Sequence, residues 1–479
     1  MFIQSLDFGL CAGKTTRVTT VGNASRAPVA SSGSFVALIS LAAATGGLLF
    51  GFDTAVISGS QKFFVAEFRL SDAMTGWVVG STLIGCMFGA GGSGTLTDRF
   101  GRKIILLLSA VLFFLSAVVC GLARSANELV LARVIGGLGI GIASMISPLY
   151  IAEVSPPATR GRLVALQQLA IVVGILVAFL SNTLFLHTHL TEAAKWRWML
   201  AVGAFPSAAF FLLLLPIPES PRWLLKQGRR ERAAAVLART AGENADAEMV
   251  QIETAIASEA GTVSELFRPG LRRPLIIGVA LAVLQQFAGI NAIMYYAPRI
   301  FEKSGAMASS AFSQTILVGL VNLIFTIVGM TLVDRAGRKK LLVAGAIGMT
   351  ITLAAVGGAF AAGYAGALLV IPILAFVACF ATTTGIVTWV IISEIFPTRL
   401  RGRAMSIAIV ALWAACYLVS QTFPVLLDTI GAATTFFVYS AMNVITVCFV
   451  VLLVPETQGR TLETIESSWK RADGQPMPQ

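Results

Sequence analysis

Two ionisable residues stand out because each lies inside a membrane-length apolar segment. Asp53 is the single carboxylate in the glycine-rich stretch from Ala44 to Gly59, and Arg133 is the one basic residue between Leu129 and Ile151. A charge at that depth is costly, so each calls for a partner and points to a task. Burial favours the neutral form of a carboxyl group, and a neighbouring guanidinium favours the charged form. A pair whose separation changed with conformation would tie proton affinity to shape. A pair that never moved would only fix how two helices pack. A second group follows later in the chain: Gln285, Gln286 and Asn291, with Tyr295 and Tyr296 just beyond. Each amide both donates and accepts hydrogen bonds. The three can hold a ligand rich in hydroxyls, or they can glue helices together. On a straight helix Gln286 and Asn291 stand about 140° apart. They converge if the helix loosens at Gly289.

Other chemistries find little support. His187 and His189 share one loop, where a solvated pair is the plain reading. Five of the six cysteines, Cys86, Cys120, Cys379, Cys416 and Cys448, fall in apolar segments, and no metal spacing appears. The spans hold no paired carboxylates, nucleophile elbow or metal cluster, so an enzyme is not expected, nor any cofactor beyond a proton as coupling ion.

The elements that must position these residues are membrane helices. The 479 residues are 56% hydrophobic and 12% charged, about half the charge of a soluble chain. Apolar runs near twenty residues recur along the length. They predict an all-α polytopic membrane protein with twelve spans, near 35–60, 76–97, 104–123, 128–151, 162–186, 197–217, 274–300, 311–333, 341–363, 367–393, 404–427 and 434–454. The net charge of +11 comes from basic residues in short loops, which argues for topology and against nucleic-acid binding. Most Lys and Arg fall on one side, so both termini and the central loop are expected in the cytoplasm.

The domains expected are a disordered cytoplasmic tail over 1–34, a first six-helix bundle over 35–217, a linker with short helices over 218–273, a second bundle over 274–454, and a tail over 455–479. The halves repeat. Asp98-Arg99-Phe100-Gly101-Arg102-Lys103 follows span 2, and Asp334-Arg335-Ala336-Gly337-Arg338-Lys339 follows span 8. Glu153 with Arg160 and Arg162 follows span 4, and Glu394 with Arg401 and Arg403 follows span 10. An offset of six spans is an internal duplication with parallel halves.

With Pro218-Glu219-Ser220-Pro221-Arg222, Gln285-Gln286-Phe287-Ala288-Gly289-Ile290-Asn291 and Pro455-Glu456-Thr457-Gln458-Gly459-Arg460, these motifs resemble the sugar porter family of the major facilitator superfamily over about residues 35–466. The stretches Gly46–Gly59 and Ser144–Glu153 resemble its bacterial sugar–proton symporters, the xylose-like ones in particular. The resemblance implies two bundles rocking about a central cavity. It implies sugar contacts from Gln168, Gln285, Gln286, Asn291, Asn322, Trp389 and Trp413, with Tyr295 and Tyr296 beside them. Tryptophan faces stack on sugar rings and amides bind vicinal hydroxyls. Two positions depart from the pattern: Ile175 and Leu412 stand where the relatives carry amides, which leaves the identity of the monosaccharide open.

Asp53 and Arg133 are the expected proton-coupling pair, and family members that work as uniporters carry a neutral residue at the aspartate. Asp98, Arg99, Arg102, Glu153, Arg160, Arg162, Asp334, Arg335, Arg338, Glu394, Arg401 and Arg403 are expected to form a cytoplasmic gate, with Asp98 and Asp334 capping helix starts. The reading is a monomeric, proton-coupled monosaccharide symporter of the bacterial inner membrane. The alternatives are a facilitative uniporter and, less favoured because the C-terminal tail is short, a sugar sensor.

Overall fold

The computed structural model describes residues 33–157, 159–257, 263–267, 271–303, 305, 307–364, 367–396 and 400–458, without the side chains of residues 308, 334, 367 and 368. Among them, twelve helices are long and apolar enough to cross a membrane. A helix satisfies every backbone group within itself, which a bilayer demands. The first six are α1 (Gly33–Phe68), α2 (Asp72–Phe100), α3 (Arg102–Leu122), α4 (Ala126–Val154), α5 (Arg160–Leu186) and α6, the last in two pieces, Glu192–Ala201 and Ala204–Leu214. The second six are α7 in two pieces (Arg272–Phe287 and Ile290–Lys303), α8 (Ala308–Ala336), α9 (Arg338–Ala361), α10 in two pieces (Ala367–Thr382 and Thr384–Glu394), α11 (Arg401–Thr429) and α12 (Gly431–Leu453). Three short helices of the linker, Pro221–Lys226, Arg230–Thr240 and Ala245–Ala257, lie between α6 and α7.

The helices form two bundles. In the first, α1 packs on α5, α2 on α4, α3 on α4 and on α6. In the second, α7 packs on α11, α8 on α10, α9 on α10 and on α12. A shift of six converts each pairing into its counterpart. The same shift relates the two main contacts between bundles, α2 with α11 and α5 with α8. The twofold relation read from the loop motifs is thus carried by the packing.

Local signals set the helix ends. Ser71, Ser125 and Thr191 cap α2, α4 and α6 by accepting from the amides of Met74, Glu128 and Ala194. The α2–α3 and α8–α9 turns each pass through a glycine of positive φ, Gly101 at 95° and Gly337 at 89°. A side chain there would be strained, which explains the glycine in both Asp-Arg-x-Gly-Arg-Lys loops. Asp98 lies in the last turn of α2 rather than at a helix start, because the turn falls three residues later. The side chain of Asp334 lies outside the described residues.

Candidate functional site

The two pieces of α7 meet at Ala288 and Gly289, the latter at φ +97°. Asn443 of α12 donates to the freed Ala288 carbonyl at 3.2 Å. The break turns the amides toward one another, as the sequence spacing required. Asn291 Nδ2 donates to Gln286 Oε1 at 2.5 Å, and Gln286 Nε2 donates to Gln285 Oε1 at 3.4 Å. Gln285 Nε2 donates to the carbonyl of Thr384, the first residue of the second α10 piece, at 3.0 Å. Two discontinuous helices therefore meet at one chain of amides, the arrangement that builds midplane sites in transporters.

Aromatic residues flank this chain. Trp413 on α11 is buried, and its ring meets Phe50 of α1 edge-on at 5.3 Å. Its indole Nε1 is buried without a hydrogen-bond partner. Trp389 is half-buried on the second piece of α10. Gln168 on α5 is half-buried and Asn322 on α8 is buried. Among the described residues, no hydrogen bond links Gln168, Asn322 or Trp389 to the amide chain. Tyr295 and Tyr296 are buried in the second piece of α7. The Tyr296 hydroxyl donates to Ser420 O at 2.7 Å, so its proton is already engaged. Cys416, read from the sequence only as one of the cysteines in apolar segments and not as a site residue, accepts from Asn291 Nδ2 at 3.1 Å. Its position three residues after Trp413 puts both on one face of α11, which was the available signal. Ile175 and Leu412 are buried in apolar surroundings.

Asp53 and Arg133 come together within the first bundle, Arg133 Nη2 lying 3.5 Å from Asp53 Oδ2. The arginine side chain is 1% exposed and the aspartate 21%. Arg133 Nη2 also donates to Val79 O of α2 at 3.4 Å. A cavity of about 20 Å³ lies beside the pair.

On the linker face the motifs build the same cluster twice. Arg102 makes a two-pronged contact with Glu153, both bonds at 2.9 Å, and Glu153 also accepts from Ser220 Oγ. Arg338 pairs with Glu394 at 3.4 Å, and Glu394 accepts from Thr457 Oγ1 at 2.6 Å. Glu219 caps α3 by accepting from the amides of Arg102 and Lys103; Glu456 caps α9 by accepting from those of Arg338 and Lys339. Glu219 thus takes the capping role expected of Asp98, and Glu456 caps α9 in the same way. The environments of these two glutamates differ. Burial pushes the Glu219 carboxyl up from the ordinary carboxylate value, although backbone amides pull the other way. Glu456 is less buried; burial raises it too, but the amides of Gln458, Arg338, Lys339 and Thr457 together hold it below that value.

Asp98 pairs with Lys226 of the linker at 3.3 Å and Arg102 at 3.6 Å. Arg160 pairs with Glu248 of the linker at 3.4 Å. Arg99 lies over the Phe100 ring. Arg162, Arg335 and Arg403 are exposed, and Arg401 is half-buried and engaged. The pairs Arg102–Glu153 and Arg338–Glu394 thus lie within one bundle each, and Asp98–Lys226 and Arg160–Glu248 tie the first bundle to the linker.

Ion pairs among the described residues cross between the bundles at the opposite face. Arg299 of α7 pairs with Asp72 of α2 at 2.5 Å, and Lys62 of α1 with Glu302 of α7 at 3.3 Å. Gln61 Nε2 donates to Tyr295 O at 2.6 Å, and Gln421 Nε2 to Ala73 O at 2.9 Å. The sequence reading passed over Asp72, Arg299, Lys62 and Glu302 because each half of a pair is an ordinary charge near a helix end until the bundles meet.

Comparison with known proteins agrees with this geometry. The family model described as "Sugar (and other) transporter" matches residues 39–469. An arabinose-proton symporter of Bacillus subtilis (strain 168) is 44% identical over 441 residues, covering 91% of this chain and 95% of the relative. A D-xylose-proton symporter of Escherichia coli (strain K12) is 39% identical over 473 residues, covering 91% and 96%. The solved structure of the E. coli xylose transporter in a partially occluded inward-open conformation superposes with a TM-score of 0.82 at 37% identity, covering 89% of this chain and 100% of that one.

Proposed function

The chain belongs to the sugar porter family of the major facilitator superfamily, and from that premise we propose that this multi-pass membrane protein is a proton-coupled symporter of a pentose. The relatives named for arabinose and xylose support the substrate class, and both sugars are pentoses. The observation that carries the coupling is the buried Asp53–Arg133 pair. Asp53 sits one helical turn after Phe50, whose ring rests on Trp413 of the other bundle. Protonating Asp53 removes one charge of a buried pair and leaves the other uncompensated, a state costing about 3–5 kcal/mol unless the helices rearrange. Through Phe50 that rearrangement is felt at the sugar-facing side of α11. Proton and sugar thereby favour the same change of shape.

The sugar is held by Gln285, Gln286, Asn291, Gln168 and Asn322, with Trp389 and Trp413 against its apolar faces. The linker face is cytoplasmic, as the basic loops require, and the membrane is the bacterial inner membrane. With the cross-bundle pairs formed at the opposite face, the conformation described is closed to the outside. The cytoplasmic clusters hold each bundle rigid as it rocks.

Purified protein in liposomes tests this reading. Pentose added outside should alkalinise the medium, and Asp53→Asn should abolish alkalinisation and uphill accumulation while sugar counterflow persists. Full accumulation by that variant would sink the coupling role. A panel of pentoses, hexoses and cyclitols competing for uptake identifies the substrate; failure of every pentose to compete would remove the substrate assignment.

A further inference from the structure

The cavity beside Asp53 lies away from the amide chain. Its walls come from α1, α3, α4 and α6, all of the first bundle, and include Ser116 and Cys120 of α3 and Ser207 of α6. At about 20 Å³ it has the capacity of one water molecule on this measure. Two of its lining residues carry unmet polar atoms: Asp53 Oδ2 and Arg133 Nε are both shielded and both without a hydrogen-bond partner. A guanidinium has five N–H donors, and leaving one unmet in the interior is unfavourable. Asp53 keeps 21% of its side-chain surface exposed, and because Oδ2 is shielded that exposure falls on the other atoms of the side chain. The walls are tied together at the face opposite the linker. Arg197 of α6 donates to Glu67 of α1 at 2.7 Å and to the carbonyl of Ala123, just past α3, at 3.0 Å.

We propose that this chamber is a water site through which the proton reaches Asp53, so that proton and sugar approach the centre by separate routes. The inference rests on the coupling role of Asp53. The water donates a hydrogen bond to Asp53 Oδ1, the carboxyl oxygen that is not shielded. An excess proton arriving from the aqueous phase makes this water a hydronium ion. One of its O–H bonds breaks as the carboxyl O–H forms, and a neutral water remains in the chamber. Release runs the step backwards. The other titratable groups near Asp53 are Cys86 of α2, Cys120 of α3 and Tyr295 of α7. None of Gln285, Gln286 or Asn291 lines the chamber, so filling it leaves the sugar-binding amides untouched.

Ala117 of α3 lines the chamber without contributing a polar side chain. In liposomes Ala117→Leu, which fills the space, should keep sugar counterflow, which needs no net proton movement. Its sugar-driven alkalinisation and uphill accumulation should fall at least about tenfold, a barrier change of about 1.4 kcal/mol. Ala117→Ser, which keeps the chamber open, should behave as the parent. Normal alkalinisation by a counterflow-competent Ala117→Leu would overturn the proposal. Asp53→Asn is measured alongside. Retained accumulation there defeats the coupling reading itself, whereas its loss together with normal Ala117→Leu behaviour defeats only the chamber. Should Ala117→Leu fail to fold, X-ray radiolytic footprinting of the parent protein decides. Oxidation of buried Cys120 and Phe113 well above the rate of other core side chains supports a resident water, and labelling at the core rate rejects it.

Discussion

At the scale of single residues, the site is an economy of hydrogen bonds. Gln286 accepts from Asn291 and donates to Gln285, which in turn binds Thr384 O. The chain holds three amides in place before any ligand arrives, and a sugar bound at the proposed site would displace or extend these bonds. Gln286→Ala should therefore weaken sugar binding by about 1–3 kcal/mol, roughly a five- to 150-fold rise in Kd. Because Asn291 loses its partner in the same variant, a double-mutant cycle with Asn291→Ala should show coupling between the two. An unchanged Kd for Gln286→Ala by calorimetry would count against the amide pose. Tyr296 sits differently from its neighbours, since its hydroxyl is spent on Ser420 O; its proposed contribution to the site is to hold α7 against α11.

At the scale of elements, the breaks and caps decide what moves. Gly289→Ala places a side chain at φ +97°, with its Cβ about 3.1 Å from the Tyr439 ring. The strain is about 1–2 kcal/mol, so the variant should melt at lower temperature and bind sugar less tightly. Wild-type affinity would show that the α7 break does not set the amide geometry. The two capping glutamates allow a pH test with opposite signs. Glu219 has a raised pKa in the fold, so its contribution is fully present below its ordinary value of 4.5 and is lost as pH rises through the folded value. Glu219→Gln keeps an acceptor for the α3 amides without a buried charge. It should match or exceed the parent in thermal stability at pH 7 and lose that advantage on acidification. Glu456 has a lowered pKa, so its contribution is present above 4.5 and is lost as pH falls through the folded value. Glu456→Gln should destabilise the protein at pH 7, with the difference closing in acid. Thermal melts across pH that ran parallel for the two variants would refute the contrast.

At the scale of the whole molecule, the asymmetry between faces defines the state. The crossing pairs Asp72–Arg299 and Lys62–Glu302 are partly exposed, so each contributes about 1 kcal/mol or less. Breaking one should shift the balance between conformations by up to about fivefold, without unfolding either bundle. In Asp72→Asn, distances between spin labels on the two bundles at that face should lengthen toward an outward-open population. An unchanged distribution would remove the pair from the closing contacts. The break in α7 falls within the amide chain, between Gln286 and Asn291, and the second piece carries Asn291 near its start and Arg299 and Glu302 near its end. The proposed sugar contact of Asn291 and the pairs that close this face thus share one short helix, Ile290–Lys303.

The sequence by itself determined the membrane class, the twelve spans, the duplication and the types of chemistry available. Those are local: apolar length, charge position and repeated motifs need no partner to be read. Asp53, Arg133 and the three amides were legible because polar groups are conspicuous in apolar runs. Only the tertiary structure decided which groups meet. Glu219 and Glu456 cap α3 and α9, and Asp98 lies in the last turn of α2 instead, since a cap is defined by where a distant loop returns. The pairs Asp72–Arg299 and Lys62–Glu302 and the contact of Asn291 with Cys416 join residues more than a hundred positions apart. The chamber beside Asp53 belongs to no single helix. Its shape is the space that four packed helices leave, and no periodicity along one strand of sequence encodes it.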